Sequence, residues 1–233
     1  MVLLPCILSA TRKDTMSKIN IYLARHGETL FNKKNYIQGH SDAPLTHEGT
    51  LGAVNLGHAV SHIPFDLAIS SHLNRAITTK DLILEMNRDQ RIPSEIDPMF
   101  AELDFGEYEG DSGHLFWEKM GEKLNLDFVE IGKRSLFEKY SYLNHPIDNP
   151  TAEPADAFKK RITKAVDDLV KRAQDENLEH ILVVSHGIVV NGLVEIYDPN
   201  HEFEDFILNA SVTKVVYEKG AYHIEYIGKR ENL

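Results

Sequence analysis

Ile19-Asn20-Ile21-Tyr22-Leu23-Ala24-Arg25-His26-Gly27-Glu28-Thr29 is the stretch on which the reading of this chain turns. Its first six residues are apolar but for Asn20, with β-branched Ile19 and Ile21, the pattern of a buried strand. They run straight into Arg25-His26-Gly27. Two other segments repeat the arrangement. Phe65-Asp66-Leu67-Ala68-Ile69-Ser70 reads as a strand that ends in Ser71-His72, with Arg75 one turn further on. His180-Ile181-Leu182-Val183-Val184 reads as a third strand, leading into Ser185-His186-Gly187.

Helix signals lie between these strands. Thr46 can cap a helix over about 48–61, with Leu51, Val54, Leu56 and Val60 as its apolar positions. A second helix is expected over 74–86, with Ile77 and Leu82 toward the sheet. Pro150 and Pro154 bracket the start of a long amphipathic helix, in which Phe158, Ile162, Val166, Leu169 and Ala173 recur at three- and four-residue steps. A further helix over about 188–196 comes after the third strand. Residues 211–217 and 222–227 look like two strands joined through Lys219-Gly220. Residues 32–44 read as a polar loop, and 102–110 as an acidic loop punctuated by glycine. Residues 111–150 are least regular, with helical pieces around 115–124 and 129–140. Alternation of strands and helices predicts an α/β fold with a mostly parallel sheet covered on both faces.

The chain has 233 residues, enough for one sizeable core and short for two. Residues 1–17 are expected to be an N-terminal extension, with Met16 suited to be the start. Residues 18–233 then form one domain with a helical cap inserted around 111–150. A net charge of −11 without a basic run argues against nucleic acid or an anionic membrane as partner. The apolar run Met1–Leu8 is far shorter than the ~20 residues of a membrane span. The one cysteine, Cys6, allows no disulfide within the chain, which suits a cytoplasmic location.

Ligands of open parallel sheets bind beyond the carboxyl ends of the strands, so the three polar clusters should share one rim. There, two histidines and two arginines would make a cationic pocket for a phosphoryl group. Arginine pairs with phosphate oxygens and stays charged. A neutral histidine, His26, can attack phosphorus, and His186 can donate to the phosphoryl oxygens. Glu102 is the candidate acid for the leaving group if burial lifts its pKa. Glycines at 27 and 187 let the backbone approach a ligand and expose its N–H. No metal and no other cofactor is called for, because the Arg/His cluster itself neutralises the charge. Most single histidines are surface or hydrogen-bonding residues, and the chain has 12 of them. The repetition of His-Gly at two strand ends carries the reading, not His26 alone.

With these residues in hand, the chain resembles the histidine phosphatase superfamily, the phosphoglycerate mutase-like family. The resemblance spreads over most of 19–227. It rests on Arg25-His26-Gly27-Glu28-Thr29 with Asn32, on Gln38-Gly39 with Asp42, Pro44-Leu45-Thr46 and Gly49, and on Ser70-Ser71-His72-Leu73-Asn74-Arg75-Ala76 with Thr79. Glu102-Leu103-Asp104-Phe105-Gly106 with Glu109-Gly110, and Ser185-His186-Gly187, complete it. It implies His26 as phosphorylated nucleophile, Arg25, Arg75 and His186 as phosphoryl binders, and Glu102 as proton donor. It implies substrate contacts from Thr29, Asn32, Gln38, Gly39 and Gly187, and a three-layer α/β/α sandwich. The chain departs from many relatives at Ala152-Glu153-Pro154, where they have Gly-Glu-Ser, and at Asn191, where a basic residue is common.

The family holds both phosphatases and mutases. Mutases of this family have Glu-Arg-His-Tyr at the acid loop and paired arginines in the cap. Glu102-Leu103-Asp104-Phe105 and a cap without an Arg-Arg pair point to a metal-independent phosphatase acting on a small phosphorylated metabolite. A bisphosphate-primed phosphoglycerate mutase and a non-catalytic phospho-ligand binding module are the alternatives, and a homodimer is the assembly left open. Phe116, Trp117, Phe128, Phe137, Tyr140 and Tyr142 could wall a substrate pocket; the plainer expectation is that they pack the cap's own core.

Overall fold

Alternate residues of the first strand point to opposite sides of a sheet, and each side meets its own helices. The computed structural model describes residues 18–88, 91–145, 147–201 and 207–233. The expected extension 1–17, with Met16 and Cys6, lies outside them, as does the Phe128 side chain. Strands β1 (Ile19–Arg25), β2 (Leu67–Ser70), β3 (Ser94–Ile96), β4 (His180–Ser185), β5 (Val212–Glu218) and β6 (Ala221–Lys229) form one sheet in the order β3-β2-β4-β1-β5-β6. The β3-β2-β4-β1 part is parallel, and β5 and β6 run antiparallel at the other edge.

Ile19, Ile21 and Leu23 of β1, with Ile181 and Val183 of β4, pack against helices α7 (Ala155–Glu176) and α8 (Gly187–Tyr197). Tyr22 and Ala24, with Leu182 and Val184, face α2 (His47–Ala59) and α3 (Asn74–Met86). The sheet is therefore buried on both faces, which explains why its central strands read as apolar runs and not as alternations. The expected α/β architecture with a mostly parallel sheet is present.

Differences from the sequence expectations have local causes. The buried apolar side chains of α2 are Ala53 and Leu56, followed by Val60 at its C-cap, while Leu51 turns outward and is 48% exposed. On α3 the buried positions are Arg75, Ala76, Thr79, Lys80 and Ile83, one step round from Ile77 and Leu82. Strand β3 has three exposed residues and no hydrophobic pattern to announce it. Helix α1 (Leu30–Lys33), inside the expected polar region, is one turn set by a capping box between Thr29 and Asn32. The turn Lys219-Gly220 has positive φ at both residues, 54° and 82°, as a two-residue hairpin requires.

Residues 111–150 carry α4 (Gly113–Leu124), α5 (Phe128–Gly132) and α6 (Leu136–Lys139). The helix expected over 129–140 is two short ones, because Asp127 and Ser135 each start a helix with a capping box to Glu130 and Glu138. Phe116, Trp117 and Tyr140 stack edge to face or tilted with one another and with Phe105 and Tyr108. Phe137 packs beside Phe158. The rings pack inward as the plainer reading expected, but not into a core of their own: with Phe105, Tyr108 and Phe158 they join the core on the α7 and α8 side of the sheet, and Tyr142 is half exposed. Among the described residues no helix is long and apolar enough to cross a membrane.

Candidate active site

Register brings the three polar clusters together. Arg25 lies beside Ser185 across β1 and β4, and Ser70 beside Val184 across β2 and β4, so all three strands end at one rim. His26, Arg75, Glu102 and His186 are buried there.

The His26 ring has a defined tautomer. Its Nδ1 lies 2.8 Å from the Gly27 carbonyl oxygen, which can only accept, so Nδ1 carries the hydrogen. Nε2 is left with its lone pair, and Arg75 Nε donates to it at 3.3 Å. Burial, then the charges of Arg75 and Arg25, hold the His26 pKa well below the usual imidazole range. The ring thus stays neutral at physiological pH, the state a nucleophile needs. The His186 ring centroid is 5.2 Å from that of His26, and burial with Arg75 and His26 depresses its pKa in the same way. His186 Nε2 is 2.6 Å from Ser71 Oγ. With Ser71 donating, Nδ1 of His186 bears the hydrogen.

Among the described residues that Nδ1 is buried without a hydrogen-bond partner, and so are Arg25 Nε and Gln38 Nε2. A buried unsatisfied donor costs about 1–3 kcal/mol. An anion supplying acceptors at this rim would recover that cost. Arg25 donates through Nη1 to the Ile207 carbonyl, and burial lowers its pKa to about 10, so it remains charged at neutral pH. Arg75 is held by Gly39 O at 2.7 Å, Ser41 O at 2.9 Å and Asp42 Oδ1 at 3.1 Å. These bonds still leave one Nη2 hydrogen free by the donor count of a guanidinium.

Glu102 is held at both oxygens. Leu103 N donates to Oε1 and Ile188 N, in the first turn of α8, donates to Oε2, each at 3.1 Å. Burial raises the Glu102 pKa; these two N–H groups, Arg75 and Arg25 pull the other way and do not win. A carboxyl that keeps its proton above the ordinary carboxylate range can act as an acid.

The other expected site residues stand around this core. Thr29 Oγ1 donates to Gln38 Oε1 at 2.6 Å. Asn32 Oδ1 accepts from Thr29 N and from Asn209 Nδ2, which also donates to the His26 carbonyl. Gly39 is packed so closely that a Cβ would collide with Leu103 O, so its role is close approach of two loops. Gly187 leaves room for Arg25, whose Nε would be 3.3 Å from an added Cβ. Gly27 corrects an expectation: its N–H is not offered to a ligand but donates to Thr79 Oγ1 at 2.9 Å.

Three positions have no role assigned from the sequence. Glu109 accepts backbone N–H bonds from Gly39, His40, Ser41 and Phe105, tying the loop that grips Arg75 to the loop of Glu102. Burial pushes its pKa up, but the hydrogen bonds from Ser41, Phe105 and His40 outweigh it and hold it low. Asn209 props the carbonyl of His26. Arg161 of α7 pairs with Glu153. Only Glu109 lies within a recognisable motif; a lone Asn in a tail and one Arg among many helix cations give no local signal.

A profile of the histidine phosphatase superfamily (branch 1) matches residues 21–230. A broad-specificity phosphatase of Saccharomyces cerevisiae is 26% identical over 229 residues, 94% of this chain and 90% of its own. The adenosylcobalamin/alpha-ribazole phosphatase of Escherichia coli is 30% identical over 177 residues, covering 76% and 77% of the two chains. The crystal structure of phosphoglycerate mutase from Bacillus anthracis superposes with a TM-score of 0.86 at 31% identity, covering 92% of this chain and 94% of that one.

Proposed function

The chain belongs to the histidine phosphatase superfamily (branch 1), and from that premise we propose that it hydrolyses phosphomonoesters of small metabolites without a metal ion. His26 is the nucleophile and Glu102 the proton donor. The observation that carries this is the fixed tautomer of His26: lone pair at Nε2, beside Arg75, in a rim with buried unpaired donors.

In the first step Nε2 forms a bond to phosphorus. The ester P–O bond breaks, and its electron pair stays on the leaving oxygen, which takes the proton of Glu102. Arg25, Arg75, Gln38 and His186 donate to the phosphoryl oxygens as charge shifts among them. In the second step a water gives its proton to the Glu102 carboxylate and attacks phosphorus. The P–N bond breaks with its pair returning to Nε2, and inorganic phosphate leaves.

The electrostatics of 111–150, read as a cap over the site, favour a phosphatase over a mutase. Lys119 pairs with Asp111 and Lys123 with Asp148, and both ammonium groups lie over the Tyr108 ring. Cations engaged in this way are poorly placed to hold a second phosphate. Phosphate release from an aryl phosphate in the presence of a chelator tests the reading. Release that disappears in His26→Ala supports it; bisphosphate-primed phosphoglycerate interconversion without net hydrolysis would replace it with the mutase.

A further inference from the structure

Arg161 lies on α7, outside every motif that builds the rim, yet its donors divide between Glu153 and the backbone carbonyls of 99–102. Nε and Nη2 fork onto Glu153 Oε1 and Oε2 at 2.8 and 2.7 Å. Nη1 donates to the carbonyls of Met99 at 2.7 Å and Ala101 at 2.8 Å, and Nη2 also donates to that of Glu102 at 3.2 Å. Glu153 in turn donates its backbone N–H to Asp104 O at 3.0 Å. One ion pair thus pins backbone positions before, at and after Glu102. The guanidinium lies 5.1 Å from the Phe158 ring centroid, which restricts its swing. The pair is shielded, with side chains 18% and 17% exposed, so its geometry is held better than that of a surface pair.

We propose that Arg161, locked by Glu153, is a positioning residue that fixes the Glu102 backbone and so aims its carboxyl at the leaving oxygen. The proposal rests on Glu102 being the proton donor. A displacement of about 1 Å in a reacting group can cost on the order of a hundredfold in rate. Lysine would keep the charge but cannot reproduce a planar fork of five donors, so Arg161→Lys separates geometry from charge.

The test compares kcat/KM on nitrophenyl phosphate, whose leaving group needs little acid help, with that on glycerol phosphate, whose leaving group needs much. Arg161→Lys is expected to lose roughly tenfold more on the alkyl than on the aryl ester. Glu153→Gln should move the same way by a smaller factor, and it carries the comparison if Arg161→Lys does not fold. In a Glu102→Gln background Arg161→Lys should add no further difference between the esters. Equal slowing of both esters by both variants would reduce the pair to a structural brace and overturn the proposal. So would a selective loss that persists without the Glu102 carboxyl. If Glu102→Gln alone discriminates between the esters and Arg161→Lys does not, only the positioning role fails. If Glu102→Gln does not discriminate, the acid assignment fails with it.

Discussion

The strand-end rim and the 111–150 stretch are built by different means. At the rim, residues distant in sequence are joined by polar contacts: Ser71 to His186, Arg75 to His26, Glu102 to the N-terminus of α8, Glu109 to the backbone at 39–41. The 111–150 stretch is held by rings packed on one another and by short helices with exposed capping boxes. Directional bonds fix atoms within tenths of an ångström, whereas ring clusters tolerate exchange of shape at modest cost. Under the proposed function, the contrast suits chemistry in the first region and choice of substrate in the second. Changes at the rim should alter the chemical step, those that touch the acid in proportion to how poor the leaving group is, and changes in the other region should alter the preference among esters whose leaving groups are equally good.

The largest break should come from Glu102→Gln. It is expected to slow an alkyl phosphate by about 10²- to 10⁴-fold and an aryl phosphate much less, measured as kcat/KM. Its pH profile sharpens the point. The raised pKa of Glu102 keeps the acid protonated above the ordinary carboxylate range, so wild-type activity on the alkyl ester should fall as pH rises through that pKa. The Glu102→Gln variant should lack this limb. Next in size, Glu109→Gln removes a carboxylate that gathers four backbone donors, and a loss of about tenfold on both esters, with a lower Tm, is expected. Steady-state kinetics and a thermal melt check it. Tyr142→Ala, at a half-exposed ring of the 111–150 stretch, should change the ratio of kcat/KM between two phosphate esters by only a few fold and leave Tm nearly unchanged. An equal loss on all esters there would erase the division between the two regions.

The smallest effect is on stability. His26 and His186 have depressed pKa values in the folded chain, so below about pH 6.5 the unfolded chain binds protons that the folded one refuses. Their contribution is complete above that pH and is lost as pH falls. His186→Asn should flatten the acid side of a stability-against-pH curve from urea titrations.

The rim is more legible in the sequence than the 111–150 stretch, for a reason of the same kind. A buried parallel strand is a run of apolar residues, and the residues just after its end fall on a known edge. The placing of β1, β2 and β4 with His26, Arg75 and His186 comes from that rule alone. Glu102 is a candidate acid from its loop alone, and the family resemblance is what sets it above the other acids there. The buried stripe of α3 departs from the expected one because Arg75, Thr79 and Lys80 are polar residues buried for the site and the sheet edge, against ordinary preference. Strand β3, with no apolar pattern, is defined by its pairing to β2, and Arg161 by carbonyls some sixty residues away. Such long-range partnerships leave no periodicity to read.

The central claim is that the phosphoryl group passes through His26, and trapping it there is the direct test. The enzyme is mixed with radiolabelled aryl phosphate, quenched in alkali within one turnover, and digested for peptide mapping. An acid-labile, alkali-stable phosphoryl label is expected on the peptide bearing His26, absent from His26→Ala along with phosphate release. Phosphate release at the wild-type rate by His26→Ala, or a label on another residue, would contradict it.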